Sequence, residues 1–197
     1  MCDASSTISF SVRRLGRLLS LLFSLAFVDL PMRPLAAISA IVGGLTLLLV
    51  GIGLGFDLVA LARLAVLGAA LGQLVHCDVR ERRIPNRIVL PAAGACAALS
   101  LLEGVRLNSL IGGGVLLAVL LAVSLTCPAW LGMGDVKLAL LLLCGLHAAT
   151  PQAILFAVEL CAVVAVLFIL WRGREAFRVA LPLAPFMAAG SLLALLL

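Results

Sequence analysis

Charged residues are scarce in this chain of 197 residues: Asp, Glu, Lys and Arg make up 12% of it, whereas hydrophobic residues make up 64%. A soluble domain has about a quarter charged residues and about half apolar ones. With a mean hydropathy of +1.30, the chain has more aliphatic surface than a single water-surrounded core of this size can bury. A soluble globular domain is therefore excluded, and we expect lipid to be the main solvent.

Tyrosine is absent, and tryptophan occurs only at Trp130 and Trp171, so the aromatic belt usual at membrane interfaces is thin. The six cysteines form no C-x-x-C pair, whereas zinc and redox sites usually place cysteines close together. We interpret them as small buried hydrophobes and predict no metal site and no cofactor. The net charge of +5 indicates nucleic-acid binding only if the basic residues form a patch. They mark membrane topology instead, so no nucleic-acid partner is predicted.

Long apolar runs predict an all-α, polytopic transmembrane helix bundle. A helix needs about 20 apolar residues to cross the hydrocarbon core, and the third and fifth runs reach this length only by taking in flanking residues. The predicted spans are Leu35–Phe56, Leu58–Val75, Ile88–Leu102, Leu110–Pro128, Leu138–Ala149, Ala153–Trp171 and Val179–Leu197. A shorter run, Leu18–Val28, follows three arginines and is interpreted as a signal-like or interfacial segment, or as the product of an upstream start codon.

Basic residues sort to one side of the predicted spans. With seven spans alternating, the opposite loops hold only Arg106, and Arg63 lies inside a span near that face. The positive-inside rule makes the basic face cytoplasmic. Its residues are Arg33, Arg80, Arg82, Arg83, Arg87, Lys137, Arg172, Arg174 and Arg178, with the arginines of the N-terminal tail.

Two aspartates lie at predicted cytoplasmic helix ends: Asp78 follows the second span, and Asp135 precedes the fifth. Two carboxyl groups a few ångströms apart cannot both ionise comfortably, so one keeps its proton at neutral pH. The ionised member can take a proton from water as the water attacks a peptide carbonyl. The protonated member can hydrogen-bond the carbonyl oxygen and help the amine to leave. The pair titrates as a unit.

The residues next to Asp135 fit this chemistry. Gly132 and Gly134 are expected to permit unusual backbone angles in a tight turn, so that a substrate strand can come close. Lys137 is expected either to raise the local positive potential or to anchor the helix at the membrane surface.

The residues after Asp78 form the sequence R-I-P-N. Pro85 is expected to hold Ile84 extended and to open the next helix. Asn86 is then available to hydrogen-bond the nearby backbone. The spacing D-x-x-x-x-x-I-P-N therefore ties Asp78 to a turn between two helices.

Three motifs occur in order along the chain: D-x-x-x-x-x-I-P-N (Asp78 to Asn86), G-x-G-D-x-K (Gly132 to Lys137) and L-P-L-A-P-F-M-A-A-G (Leu181 to Gly190). Together they resemble the type IV prepilin peptidase family, polytopic aspartic proteases of the GxGD type. In the third motif Leu183–Ala184 replaces the family's Phe-Gly, while Pro182 and Pro185 are in place. The resemblance covers about residues 58–197, which implies a six-helix peptidase core, an additional transmembrane helix at 35–57 and an N-terminal tail at 1–34.

The resemblance implies an aspartic endopeptidase that removes the short basic leader of prepilin-like precursors at the cytoplasmic face of the inner membrane. Its products would serve pilus (Flp/Tad-type) biogenesis or type II-like secretion. The long family members also carry paired C-x-x-C motifs and N-methylate the new amino terminus. This sequence has neither those cysteines nor a large loop, so we predict a short, CpaA/TadV-like form without methyltransferase activity.

The family's functional residues map onto this sequence in the same way. The implied catalytic pair is Asp78 and Asp135, and the oligomeric state stays open. The implied supporting residues are Gly132, Gly134, Lys137, Ile84, Pro85 and Asn86. Pro182 and Pro185 are expected to support the site from further away, without touching the substrate.

Other functions use the same acids. A proton- or ion-coupled carrier would employ Asp78, Asp135 and Glu159 as pathway carboxylates, although carriers usually place such groups near the midplane between broken or repeated helices. A non-catalytic scaffold would use the aspartates only as helix caps and anchors. A presenilin-like protease pairs its GxGD aspartate with a Y-D motif, which a chain without tyrosine lacks. Glu159, with no obvious charged partner, is expected to point into the bundle.

Overall fold

The computed structural model describes residues 34–105, 107–128, 131–172 and 182–197. These residues form α-helices and one 3-10 turn, with no strand among them. The all-α prediction is therefore confirmed. The segment Leu18–Val28, Arg33, Arg106, Trp130, Arg174 and Arg178 lie outside the described residues. The helices are α1 (Pro34–Gly53), α2 (Leu58–Glu81), α3 (Asn86–Leu102), α4 (Leu107–Thr126), α5 (Met133–Leu146), α6 (Thr150–Arg172) and α7 (Ala184–Leu196), with the 3-10 turn at His147–Ala149.

Three helical stretches are long and apolar enough to cross a membrane: Leu35–Gly53, Leu58–Glu81 and Met133–Leu170. The last of these includes α5, the 3-10 turn and most of α6. Shorter apolar helices cover Asn86–Leu102, Leu110–Thr126 and Ala184–Leu196. Many large aliphatic side chains point outward from these helices, as expected where lipid rather than water surrounds a bundle. The protein is thus a helical membrane bundle.

Helix α2 lies at the centre of the bundle, packed against α1, α3, α5 and α7. The two helices α2 and α5 are in contact, and both contribute buried leucines to the core: Leu67 and Leu74 from α2, and Leu138 and Leu142 from α5. Because α2 and α5 carry Asp78 and Asp135 respectively, the core that joins these helices also fixes the two aspartates relative to each other.

Helices α1 and α2 pack with their backbones in close contact. A Cβ atom on Gly68 would overlap the carbonyl of Gly43, and one on Gly72 would overlap the carbonyl of Ser39. Such small-residue contacts are typical of membrane helices, where close backbone packing replaces the hydrophobic driving force. The packing fixes α1 firmly on the helix that carries Asp78.

Helix α2 continues past the predicted end of its span at Val75, as far as Glu81. Asp78 therefore follows the predicted apolar span but lies in the last turn of the longer helix, at a helix end as predicted. Asp135 precedes the predicted span and lies in the first turn of α5, because this helix takes in the flanking residues before Leu138, as expected. Apolar composition marks the part of a helix that is in hydrocarbon, whereas the backbone hydrogen bonds of the helix continue into the polar margin.

Candidate functional site

A tight helix–helix turn follows Asp78. The amide of Arg82 donates to the backbone carbonyl of Asp78 at 3.0 Å, and Arg82 adopts a left-handed conformation (φ 50°) that ends α2. Pro85 is extended (φ −74°, ψ 128°), and α3 begins at Asn86, as the sequence predicts. Ile84 lies in this turn, between the end of α2 and the start of α3.

Asp135 occupies the third position of α5. Its amide donates to the carbonyl of Gly132 at 3.0 Å, and its side chain lies beside the same glycine: a Cβ built on Gly132 would be 3.7 Å from Oδ2 of Asp135. Negative charge is also favoured there by the helix dipole. The start of α5 therefore holds the Asp135 carboxyl group in a defined place.

The expectation of unusual backbone angles at the two glycines is wrong. Gly132 has φ −74° and ψ 148°, which any residue adopts, and Gly134 is helical. What Gly134 provides is space: a Cβ built on it would lie 3.1 Å from Cδ1 of Ile84 and 3.4 Å from its Cβ. The first two motifs therefore meet through this glycine and isoleucine.

The two aspartates are close enough for the charge of Asp78 to act on the carboxyl group of Asp135. Asp78 is buried, with 7% of its surface exposed, whereas Asp135 is half-buried. The structure thus brings together two carboxyl groups that are far apart in sequence, with the more exposed one on the rim.

The third motif reaches the same place from α7. The backbone amide of Ala184 donates to Oδ2 of Asp78 at 2.9 Å, in a buried environment. Ala184 is the first residue of α7, and Pro185 follows it, in a position where the missing amide of proline costs nothing. Pro182 and Pro185 are half-buried and shape the start of the helix that supplies this donor. All three motifs therefore converge on the two acids.

The remaining predicted site residues lie around this cluster with fewer contacts. Asn86 is exposed and Lys137 is half-exposed, and neither side chain makes a hydrogen bond or ion pair with another described residue. The arginines of the turn are all exposed as well, so this end of the bundle is strongly basic. They are Arg80, Arg82, Arg83 and Arg87.

The expectation that Glu159 points into the bundle is wrong. Its side chain is exposed, near the middle of α6. Mid-helix position was read from the sequence correctly, but the face of an almost uniformly apolar helix cannot be read from periodicity.

Sequence reasoning missed a buried ion pair at the other end of α2. Arg63 donates from Nε to Oε1 of Glu103 at 2.9 Å and from Nη2 to Oε2 at 3.1 Å. A signal was present, because the two residues are nearly equidistant from the α2–α3 turn and a helical hairpin places such residues side by side. The sequence alone predicts for Arg63 only a place inside a span, near the face opposite the basic one.

Among the described residues, no three His, Cys, Asp or Glu side chains are grouped so as to hold a metal ion. A scan against protein families matches residues 65–170 to the type IV leader peptidase family. That segment is more than half of the chain and contains both aspartates.

The chain belongs to this family. The resemblance inferred from the three motifs is thereby confirmed at the family level. Membership implies a membrane protease that removes leader peptides from prepilin-like substrates. The matched segment of this leader peptidase omits α1 and α7, although α7 supplies a donor to Asp78. Searches of curated proteins and of solved structures found no match.

Proposed function

We propose that Asp78 and Asp135 form the catalytic pair of this leader peptidase and cleave the peptide bond that joins a basic leader to a hydrophobic helix. One observation carries the proposal. Two acids from separate motifs of the family segment lie at the ends of their helices, where Gly134, next to Asp135, packs on Ile84 in the turn after Asp78. Buried like charges are costly unless they share a proton, and sharing a proton is what general acid–base hydrolysis requires.

The chemistry follows from that shared proton. The ionised carboxylate removes a proton from water while the water oxygen attacks the scissile carbonyl carbon. The protonated carboxyl group hydrogen-bonds the carbonyl oxygen and stabilises its developing negative charge. Collapse of the tetrahedral intermediate breaks the C–N bond, and the amine leaves with a proton from the pair. The products are a leader with a free carboxylate and a shortened protein with a free amine.

The backbone holds both acids for this work. The Ala184 amide donates to the carboxylate of Asp78, and the backbone of Asp135 is held in the first turn of α5 by its bond to the Gly132 carbonyl. A fixed donor such as the Ala184 amide needs no reorganisation when charge moves during the reaction. The exposed surface of Gly132 leaves an approach for an extended substrate beside Asp135.

Replacement of the two acids tests the proposal directly. Asp78→Asn and Asp135→Asn should each remove leader cleavage of a co-expressed prepilin-like protein, because asparagine keeps the shape but neither accepts nor supplies the shared proton. Asp57→Asn is the matched control, since Asp57 is exposed at the other end of α2 and makes no side-chain cap. Cleavage at the normal rate in either site variant, with the protein inserted and accumulated, would disprove the assignment.

The finer features of the proposal concern the substrate and the product. We propose cleavage at the cytoplasmic face of the inner membrane, in a Flp/Tad-type pilus or type II-like secretion pathway, without N-methylation. The basic turn after α2, at the same end as both acids, supports the orientation. Mass spectrometry of the processed protein checks the last point: an unmethylated new amino terminus is expected, and a mass increase of one methyl group contradicts it.

One observation also fits a non-catalytic subunit. Asp135 lies in the first turn of α5, where a negative charge stabilises the helix through its dipole whether or not the protein is an enzyme. Digestion of a synthetic precursor by the purified protein in detergent separates the two functions. A scaffold leaves the precursor intact, whereas the peptidase releases the leader and loses that activity in Asp135→Asn.

A further inference from the structure

A buried polar cluster lies at the end of α2 away from the two aspartates. Arg63 is 8% exposed and uses its whole guanidinium group: two nitrogens grip the carboxylate of Glu103, and Nη1 donates to the carbonyl of Gly145. Nearby, Ser100 Oγ lies 3.0 Å from the carbonyl of Cys144 and contacts Nε2 of His147. The cluster thus links α2, α3 and the end of α5.

The partners of this cluster on α5 are its last carbonyl groups. A helix leaves its final four carbonyls without intrahelical donors, and this end also carries the negative pole of the helix dipole. In α5 the carbonyls of Cys144 and Gly145 belong to that group. Arg63 donates to the Gly145 carbonyl from α2, and its positive charge complements the dipole. The Ser100 hydroxyl lies 2.7 Å from the carbonyl of Cys96 in its own helix and 3.0 Å from that of Cys144, and it has one proton to donate.

Helix α5 is held tightly at this end and at the other. A Cβ on Gly145 would lie 2.7 Å from Cδ2 of Leu67, one turn along α2 from Arg63. At the opposite end Gly134 packs on Ile84. About 15 Å of helix separates Asp135 from Gly145, at 1.5 Å per residue. A shift of α5 along its axis at one end therefore moves Asp135 at the other.

We infer that Arg63 is a positioning residue for leader cleavage. It hydrogen-bonds the Gly145 carbonyl at the end of α5 while it is paired with Glu103. These contacts fix the position of α5 along its axis, and therefore the position of Asp135 relative to Asp78. The inference rests on the proposed catalytic pair. An ion pair alone needs only two nitrogens of Arg63, whereas the third contact, to the Gly145 carbonyl, is what transmits position. Lysine has no fork with which to make these contacts together.

The kinetic test separates position from stability. In Arg63→Met/Glu103→Leu both charges are replaced by apolar side chains of similar volume, a change that a buried ion pair often tolerates. We expect normal accumulation and melting temperature, an unchanged KM, and a kcat lower by a factor on the order of ten, since small misplacements cost that much or more. Glu103→Gln leaves the hydrogen bond from Arg63 to the Gly145 carbonyl in place. Its kcat should therefore fall less than that of the double variant. Arg87→Met, at an exposed arginine, is the control.

A cross-linking measurement reports register without any substrate. A Cβ built on Gly134 would lie 3.4 Å from Cβ of Ile84. This distance is close to the one between the two Cβ atoms of a disulfide. In a protein with its six native cysteines replaced by alanine, Ile84→Cys/Gly134→Cys should form a disulfide quickly. Addition of Arg63→Met/Glu103→Leu should slow that reaction severalfold. If this variant fails to accumulate, Arg63→Lys takes its place with the same expectation.

Two results would overturn the inference. One is a normal disulfide rate together with normal kcat when Arg63 is replaced. The other is an equal loss of kcat in Glu103→Gln, which would assign the effect to the ion pair alone. Because cross-linking needs no catalysis, a slowed disulfide with active Asp78→Asn and Asp135→Asn variants would refute the catalytic pair and leave the register role of Arg63 standing.

Discussion

Among single residues, Gly134 is the point where two motifs touch. A methyl group there meets Cδ1 of Ile84 at 3.1 Å, a distance that requires one side to move by a few tenths of an ångström. We expect Gly134→Ala to lower the rate of leader cleavage about tenfold through a shift of Asp135. Ile84→Val removes the δ methyl group, so the double variant should recover most of that loss. The rate of leader release from a purified precursor measures both effects.

The control for this prediction is Gly114→Ala, where nothing lies within 4 Å of the added methyl group. A loss in Gly134→Ala that Ile84→Val does not relieve would show that the glycine serves the substrate rather than the helix contact.

Glu159 gives a second prediction at the residue scale. Its exposed position on α6 separates it from the buried Asp78, so it has no place in the proposed hydrolysis. Glu159→Gln should keep leader cleavage within about twofold of the unmodified protein, as is usual for exposed positions away from a site. Near-complete loss of cleavage in this variant, at normal protein levels, would instead favour the carrier hypothesis.

At the scale of the helices, the contact between α1 and α2 depends on glycine. Gly72→Ala places a methyl group against the backbone carbonyl of Ser39, and backbone cannot rotate away as a side chain does. Overpacking of this kind costs about 1–3 kcal/mol. We expect a lower melting temperature in detergent and lower accumulation in the membrane.

Gly94→Ala is the matched substitution in α3. Its methyl group meets nothing within 4 Å, and alanine is about 1 kcal/mol more favourable than glycine inside a helix. Its melting temperature should therefore stay the same or rise. Equal melting temperatures for the two variants would mean that α1 is not packed on α2 as described.

For the whole molecule, the proposed orientation predicts labelling from opposite sides of the membrane. Arg83 and Asp57 are exposed at the two ends of α2. With native cysteines replaced, Arg83→Cys should react with a membrane-impermeant maleimide only from the cytoplasmic side, and Asp57→Cys only from the other side. Reaction of both from one side would contradict the positive-inside assignment.

Much of the fold could be predicted from the sequence because apolar runs of membrane length are a strong signal. The turn at Pro85 was predicted as well, since proline restricts its own and the preceding backbone. Other features depend on which face of a helix turns inward. The outward position of Glu159 could not be predicted from a uniformly apolar helix. The pairing of Arg63 with Glu103 had a signal in the sequence, their similar distances from the α2–α3 turn, but that signal does not say which face of either helix carries the charge. The backbone dihedral angles of Gly132 are ones that any residue adopts, whereas Gly134 leaves room for Ile84. A glycine in a motif can therefore provide backbone freedom or space for a neighbour, and the sequence alone does not say which.

The hydrogen bond from Ala184 to Asp78 has a consequence for the order of events during synthesis. Ribosomes deliver the chain from its amino end, so both acids enter the membrane before α7 exists. Until α7 docks, Asp78 lacks its amide partner. If Asp78 is catalytic as proposed, its carboxylate gains its final hydrogen bond only when the last helix of the chain has been made and packed.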